Sequence, residues 1–587
     1  MSPRMGRVFW VSALLASINF AWAYTPTFAP GGSLVRWTGP LKLNLAGNAT
    51  NQNGIGPAEF FAAAVRGLQR WKSASGGSLS FDYWQGTDPG IYPVKSEFDG
   101  LSSMYFASNS AIRLSPNVLG LTQVFYNTET GEILETDIVL NDRDFQFTTN
   151  ARDTSGYGTG NTNSLGSRSK VFVENVITHE LGHAFGLAHA GGLQATMLFM
   201  ESPEQAHLSC DDQVAVRALY PAADASARGS LGGLVVSESG QPIYGAHVLA
   251  ISARRGTVLA TGISDRAGRY AIGALEPGPY YLMIEPFLAG YQVLPSYYSG
   301  MNPDVCTAGE AFSRSFLTDS SGFELQSVNV PAGPEVAAPT VTARCPRSGG
   351  AAISGSSSAG MVDSAELAVH RAGQSGRFGI VDRYRYSGPV FYRIPRIQGH
   401  VEIHVLSYSL YSPLGASMTL LRSDGSTVET VTSDRVYTGD SGFSNFDTAL
   451  VADDLKYGDY YLQVDGAAIS SSYYPAGPIM VDSVPFMMIT GSFNEGEPPL
   501  AAVLPFNARC RMDENFPIYV SPPGNPPRSS RQKEESTGFC GTVQDAAGGG
   551  SRPGPGAGAV IGWLLPWLVM AGGVRLFRAD LSLRTRV

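Results

Sequence analysis

Charge is scarce in this chain. Only 16% of its 587 residues are Asp, Glu, Lys or Arg, the net charge is −9, and no Lys/Arg-rich stripe occurs, so nucleic acid is not an expected partner. A disordered chain is excluded too, because 43% of the residues are apolar and 10% aromatic. Cysteine is sparse: Cys210, Cys306, Cys345, Cys510 and Cys540 include no closely spaced pair, which excludes a zinc knuckle. In a secreted chain, sequence neighbours suggest Cys306–Cys345 and Cys510–Cys540 bridges, with Cys210 left as a buried thiol or a further disulfide partner. Histidine numbers only eight, and none lies between Trp37 and Thr178.

Long apolar runs are confined to the two ends. Arg4 and Arg7, the stretch Val8–Phe20 and the small-x-small site Ala21-Trp22-Ala23 read as a secretory signal over 1–23, with an uncleaved anchor as the alternative. Residues 557–574 are uncharged and long enough to span a bilayer, and Arg575, Arg578, Arg584 and Arg586 make 575–587 a basic cytoplasmic tail. Localisation is therefore expected at the cell surface, reached by secretion.

What lies between is too long for one core. Glycine (68) and proline (37) are abundant, which suits many short strands joined by turns. Residues 24–221 mix both element types. The segment PAEFFAAAVRGLQRWKS places Phe60, Phe61, Ala64, Leu68 and Trp71 on one helical face, and further helices are expected near Lys170 and at SCDDQVAVRALYP. Strand candidates are LVRWTGPLKLNLAG, SLSFDYW, SMYFA, LTQVFYN and ILETDIVLN, which together predict an α/β (α+β) domain. After a linker at 222–230 the texture becomes β alone. Alternation at Tyr270/Ile272 and Tyr280/Leu282/Ile284 predicts a small sandwich over 231–345, and a second β unit follows over 355–494. A Pro/Gly/Ser-rich spacer fills 495–556.

The chemistry concentrates in THELGHAFGLAHAGGLQATMLFM, which contains H-E-x-x-H-x-x-G-x-x-H. His179 and His183 are one helical turn apart, so both imidazoles leave one face and can reach one ion. Gly186 can adopt a left-handed conformation, end the helix and turn the chain, which lets His189 approach as third ligand. Three histidines leave a fourth position open on zinc, as a catalytic site requires. Glu180 points beside the metal, where a general base would meet a water on it. Five fixed positions arise by chance in roughly one chain of this length in five thousand. A helix with surface histidines and no metal is therefore the weaker reading.

The flanking text resembles the bacterial matrixin-like metzincin peptidases, through QRWKS, TQVFYNTETGEILETDIVLND, VENVITHELGHAFGLAH, ATM and DDQVAVRALYP. The resemblance implies a zinc metalloendopeptidase that acts on protein or peptide substrates outside the cell, with Met197 as the Met-turn residue that supports the site without ligating. The second, structural zinc of animal matrixins is not implied, since no histidine lies in the stretch that would supply its ligands. One zinc is expected. Calcium could bind at Asp137 and Asp142, although solvated strand ends are the alternative. Residues 231–286 resemble the carboxypeptidase regulatory-like domain. DRYRYSG, VEIHVLSYS and GDYYLQV resemble the prepeptidase C-terminal type of sandwich. Gly548-Gly549-Gly550-Ser551 ahead of the apolar end resembles a C-terminal sorting signal, which would make a processing protease a partner. The rival function is a surface-displayed binding or adhesion protein whose peptidase domain is auxiliary or inert. The other histidines, His207, His247, His370, His400 and His404, read as isolated or ordinary sandwich residues.

Overall fold

A computed structural model describes residues 24–345 apart from several short stretches, the longest being 87–97, 154–169 and 288–297, together with segments of 365–491 and residues 539–546. The expected signal (1–23), membrane span (557–574) and basic tail (575–587) lie outside the described residues. Among the described residues, no helix is long and apolar enough to cross a membrane.

The first domain is built on strands β1 (Leu41–Ala46), β2 (Phe81–Trp84), β3 (Ser102–Phe106), β4 (Val118–Tyr126) and β5 (Ile133–Leu140). Their order is β2-β1-β3-β5-β4, parallel except for the antiparallel pair β5/β4. Two further strands, β6 (Gln146–Thr148) and β7 (Lys170–Phe172), pair with each other. Helix α1 (Pro57–Ala74) starts where Pro57 presets the first turn and the Glu59 carboxylate accepts the Gly56 N–H. Its buried stripe is Phe60, Ala63, Ala64, Gly67, Leu68 and Trp71, while Phe61, expected on that face, is only partly buried and packs edge-on to Tyr83.

The stripe of α1 meets α2 (Val173–Ala184), in which every residue is buried. A helix enclosed all round must satisfy its polar side chains within the protein. Glu174 does so with Arg66 and Arg70, the latter at 2.8 Å. Asn175 bonds Glu201 at 2.8 Å. The Trp71 indole donates to the Thr178 carbonyl at 2.9 Å, which locks α1 across α2. Helix α3 (Cys210–Leu219) begins at a reciprocal Ser209/Asp212 capping box.

Strand β8 (Gly229–Ser237) follows a short 3-10 turn at Ala225–Ala227. With β9 (Ala246–Ser252), β10 (Thr257–Ile263), β11 (Arg269–Leu275), β12 (Gly278–Pro286), β13 (Ser315–Phe316), β14 (Ser327–Val330), β15 (Glu335–Ala337) and β16 (Val341–Ala343), it forms two sheets over an apolar core. Tyr270, Ile272, Tyr280, Leu282 and Ile284 all point into that core. The core is continuous with that of the first domain, from Tyr24 through Trp71 and Leu219 to Ala343. Cys306 and Cys345 are bridged, as expected. Cys210 is also a disulfide cysteine, the second of its two expected states, and Cys510 of the expected Cys510–Cys540 pair lies outside the described residues.

Strands β17 (Ala365–Glu366), β18 (Arg377–Asp382), β19 (Val390–Leu406), β20 (Leu414–Arg422), β21 (Thr427–Val431), β22 (Thr448–Ala468) and β23 (Ser483–Gly491) make one seven-stranded sheet with its own core. Three register shifts lie along the long β19/β22 pair, and β20 approaches β23, so the sheet curls over on itself. Finally, β24 (Phe539–Ala546) pairs parallel with the outer edge of β4, from Cys540 opposite Gly120 to Ala546 opposite Tyr126. It lies within the stretch expected as spacer. FCGTVQDA is free of proline and can offer an unbroken ladder, whereas proline would interrupt one.

Candidate metal centre

The three histidines come together as their spacing implies. Their candidate ligand nitrogens lie within 4.8 Å of one another, and among the described residues this is the only such cluster of three or more His, Cys, Asp or Glu. The Nε2 atoms of His179 and His183 are 3.1 Å apart, and those of His183 and His189 are 3.2 Å apart. The opposite ring nitrogens face backbone carbonyls: His179 Nδ1 lies 2.6 Å from Thr196 O, and His183 Nδ1 lies 2.8 Å from Leu187 O. A carbonyl can only accept, so each Nδ1 carries the proton and each Nε2 presents a lone pair. Burial, together with His189 alongside, holds His179 down to about 3, and burial likewise keeps His183 well below the ordinary range, so both rings are neutral. Lone pairs at such separations repel unless a cation sits between them. Zinc, which takes neutral imidazole nitrogens, fits this donor set.

Glycines make the close approaches. Gly186 ends α2 with φ +96°, and a Cβ there would lie 2.0 Å from the Val35 carbonyl oxygen, so position and conformation both demand glycine. Gly182 stands between the two helical ligands, where a Cβ would meet the Met197 sulfur at 2.2 Å. Met197 is therefore packed against α2, and its carbonyl accepts the Ala190 N–H at 2.8 Å, which ties the Met-turn to the residue after His189. The His189 and Phe199 rings meet edge-on at 6.2 Å, so the phenylalanine that stands in the Met-turn packs on the third ligand.

Glu180 is fully buried, with its carboxylate turned toward β4. Thr122 Oγ1 lies 2.6 Å from Glu180 Oε2, and a Cβ at Gly120 would be 2.6 Å from Oε1. Two contributors escaped the sequence reading. Thr122 lay within a recognised strand, but nothing local said that its hydroxyl meets the carboxylate. Asp212 accepts the N–H groups of Thr196 (2.6 Å) and Met197 (3.2 Å), so the cap of α3 also carries the Met-turn. Its place in SCDDQVAVRALYP marks it only as part of an expected helix.

Of the calcium candidates, Asp142 is engaged by Ser108 through N–H (2.7 Å) and hydroxyl (2.6 Å). Asp137 accepts the Ser103 N–H at 3.0 Å and lies near Glu135 and Asp99, and burial raises its carboxyl well above the usual range. His247 is not an ordinary sandwich residue: its Nδ1 sits 2.9 Å from Glu285, which in turn holds Arg314 at 2.7 Å.

Residues 120–221 match the family model for Matrixin, and residues 230–292 match the Carboxypeptidase regulatory-like domain. No curated protein matches the chain. Among solved structures, similarity extends to the pre-peptidase C-terminal domain of collagenase from Bacillus anthracis, at 11% identity over 22% of this chain and 94% of that one, with a TM-score of 0.14. The Bacillus anthracis TIE protein shares 12% identity over 46% of this chain and 32% of its own, with a TM-score of 0.12. A Streptococcal ancillary pilin shares 12% over 46% and 60%, also at 0.12.

Proposed function

We infer that this chain, which carries a matrixin domain of the zinc metallopeptidase type, is a working metalloendopeptidase that hydrolyses peptide bonds in extracellular proteins. The observation behind this reading is the convergence of three buried histidine rings, two of them with Nε2 unprotonated, on a helix that also carries the buried Glu180. His179, His183 and His189 would hold one zinc ion, which when bound supplies a Lewis acid to polarise the scissile carbonyl and acidify water.

The chain's own groups do the proton work. Glu180 would accept the proton of the attacking water and return it to the leaving amine. Thr122, donating to Oε2, fixes the plane of that carboxylate and leaves Oε1 turned along β4. The carbonyls of Thr196 and Leu187 keep the two helical imidazoles in the tautomer that aims Nε2 at the centre.

Casein or gelatin digestion by the full chain, with and without chelator, tests the activity. Cleavage abolished by chelator and restored by zinc is expected. No cleavage at any zinc level would favour the rival reading, a surface-displayed binding protein with an inert peptidase domain. Secretion through 1–23 and anchoring through 557–574, open to a C-terminal sorting protease, complete the proposal. Removing residues from Ala557 onward should move the product from the membrane fraction to the soluble one. A full-length product already soluble with its C-terminus intact would count against the anchor.

A further inference from the structure

His189 stands outside the helix that carries the other two ligands, and its loop is held from two sides. On one side runs the segment Tyr24–Thr27. Thr27 N–H donates to Gly186 O at 2.9 Å, Ala188 N–H donates to Thr25 O at 2.7 Å, and Pro26 bridges Leu187. That segment is in turn gripped by the β module. Tyr24 N–H donates to Thr261 O on β10, and the Tyr298 hydroxyl donates to Pro26 O at 2.9 Å. Thr261 also clasps Asp211 of α3, through its N–H at 2.6 Å and its hydroxyl at 3.1 Å. The neighbouring Asp212 carries the Met-turn.

On the other side of His189 lies Gly191. A Cβ at this position would stand 2.8 Å from Phe287 Cε2 and 2.9 Å from His247 Cε1, so the module's surface is pressed against the backbone two residues past the third ligand. The ring that presses there is fixed by Glu285 and Arg314, and it meets Phe287 edge-on at 5.5 Å. His247 and Phe287 thus stand against Gly191 at one end of the stretch from Gly186, while Thr261 and Tyr298 hold the segment 24–27 that ladders with the other end.

We propose that the carboxypeptidase regulatory-like module is a positioning element of the metal centre, setting the loop that carries His189 through Thr261 and Tyr298 on one flank and His247 and Phe287 on the other. This rests on the reading of His189 as third ligand. Positions around a ligand that orient it without binding metal typically contribute about 10–100-fold in metal affinity. A module that merely shares a core would contribute to unfolding temperature alone.

The test uses the full chain with Gly191→Ala, His247→Ala and the pair Gly191→Ala/Phe287→Ala, beside Val341→Ala, a core truncation within the module away from the loop. Zinc dissociation constants by chelator competition and the visible spectrum of the cobalt-substituted protein are read together with thermal unfolding. Gly191→Ala and His247→Ala should weaken zinc about 10-fold or more and alter the cobalt bands. The paired variant relieves one of the two overlaps yet removes a flanking ring, so it should stay well short of wild-type zinc affinity. Val341→Ala should lower the unfolding temperature and leave zinc affinity unchanged. Wild-type zinc affinity and cobalt spectrum in Gly191→Ala and His247→Ala would overturn the proposal. A wild-type chain that binds no zinc would overturn the ligand assignment first, and this inference with it.

Discussion

His179 and His183 owe their positions to a single helix, whereas His189 owes its position to parts of the chain far from it in sequence. The helical pair is set by a four-residue spacing, two carbonyl acceptors and an enclosing core. The third ligand depends on a glycine turn against Val35, a ladder with residues 24–27, the Met-turn and the β module. The proposed metal centre therefore combines a half set mainly by α2 with a non-local half to which both domains contribute.

The largest effect should come from within the local half, where a ligand and its neighbour can be separated. Glu180→Ala should keep fold and zinc yet lose turnover by roughly 10²–10⁴-fold, since three histidines already complete the protein's share of the site. His183→Ala should instead lose the metal itself. Zinc content and peptide cleavage measured on the same preparations would show the split, and near wild-type cleavage by Glu180→Ala would remove it from the role of base.

Gly186→Ala strikes the non-local half first, and reaches the helical half only through the Leu187 carbonyl that faces His183. The left-handed conformation costs a non-glycine residue about 1–3 kcal/mol, and the clash with the Val35 carbonyl adds to that. Circular dichroism should show α2 intact while zinc affinity and unfolding temperature both fall. Equal loss of helix and metal would erase the distinction between the halves.

The clasp between α3 and the module has a pH signature. Burial, then the neighbouring Asp212, raises the Asp211 carboxyl to about 8. The folded state thus binds this proton more tightly than the unfolded chain does. Its contribution is complete below the unfolded value near 4 and is lost as pH rises toward 8. Between pH 4 and pH 6 that loss is about 2 kcal/mol. Asp211→Asn, which mimics the protonated form, should flatten this part of the profile in denaturant titrations. An unchanged slope would mean that Asp211 ionises freely in the fold.

The smallest effect is expected where the halves touch. Met197→Leu keeps volume beneath Gly182 and leaves the Ala190 N–H to Met197 carbonyl bond in place, so it should cost less than about 1.5 kcal/mol. Zinc stoichiometry should stay at wild type by elemental analysis.

The same division explains what could be read from the residues alone. The ligands, the base, the turn glycine and the Met-turn sit within one short segment whose spacing encodes a helix and its end. Strands β11 and β12 were legible from period-two alternation, as was the face of α1 apart from Phe61. Thr122, Asp212 and His247 were not legible, because each acts by meeting a residue that only the tertiary fold brings near. The shared core was hidden for the same reason: AADASARGS reads as a linker by composition, although Gly229 already begins a strand of the docked module. β24 was masked by the proline- and glycine-rich text around it.

Fixing Tyr24–Thr27 between Gly186–Ala188 and the module has a consequence in time. A chain made from its N-terminus carries the first of these segments early, the histidines later, and Thr261 and Tyr298 later still. The pairings that close His189 onto its partners span large separations, and such contacts form slowly and last. On the positioning proposed above, a nascent chain stalled before His247 already holds all three histidines but none of the module residues that set the loop carrying His189. Full zinc affinity would then arrive only with the finished two-domain unit, and a truncated product would hold the metal more weakly.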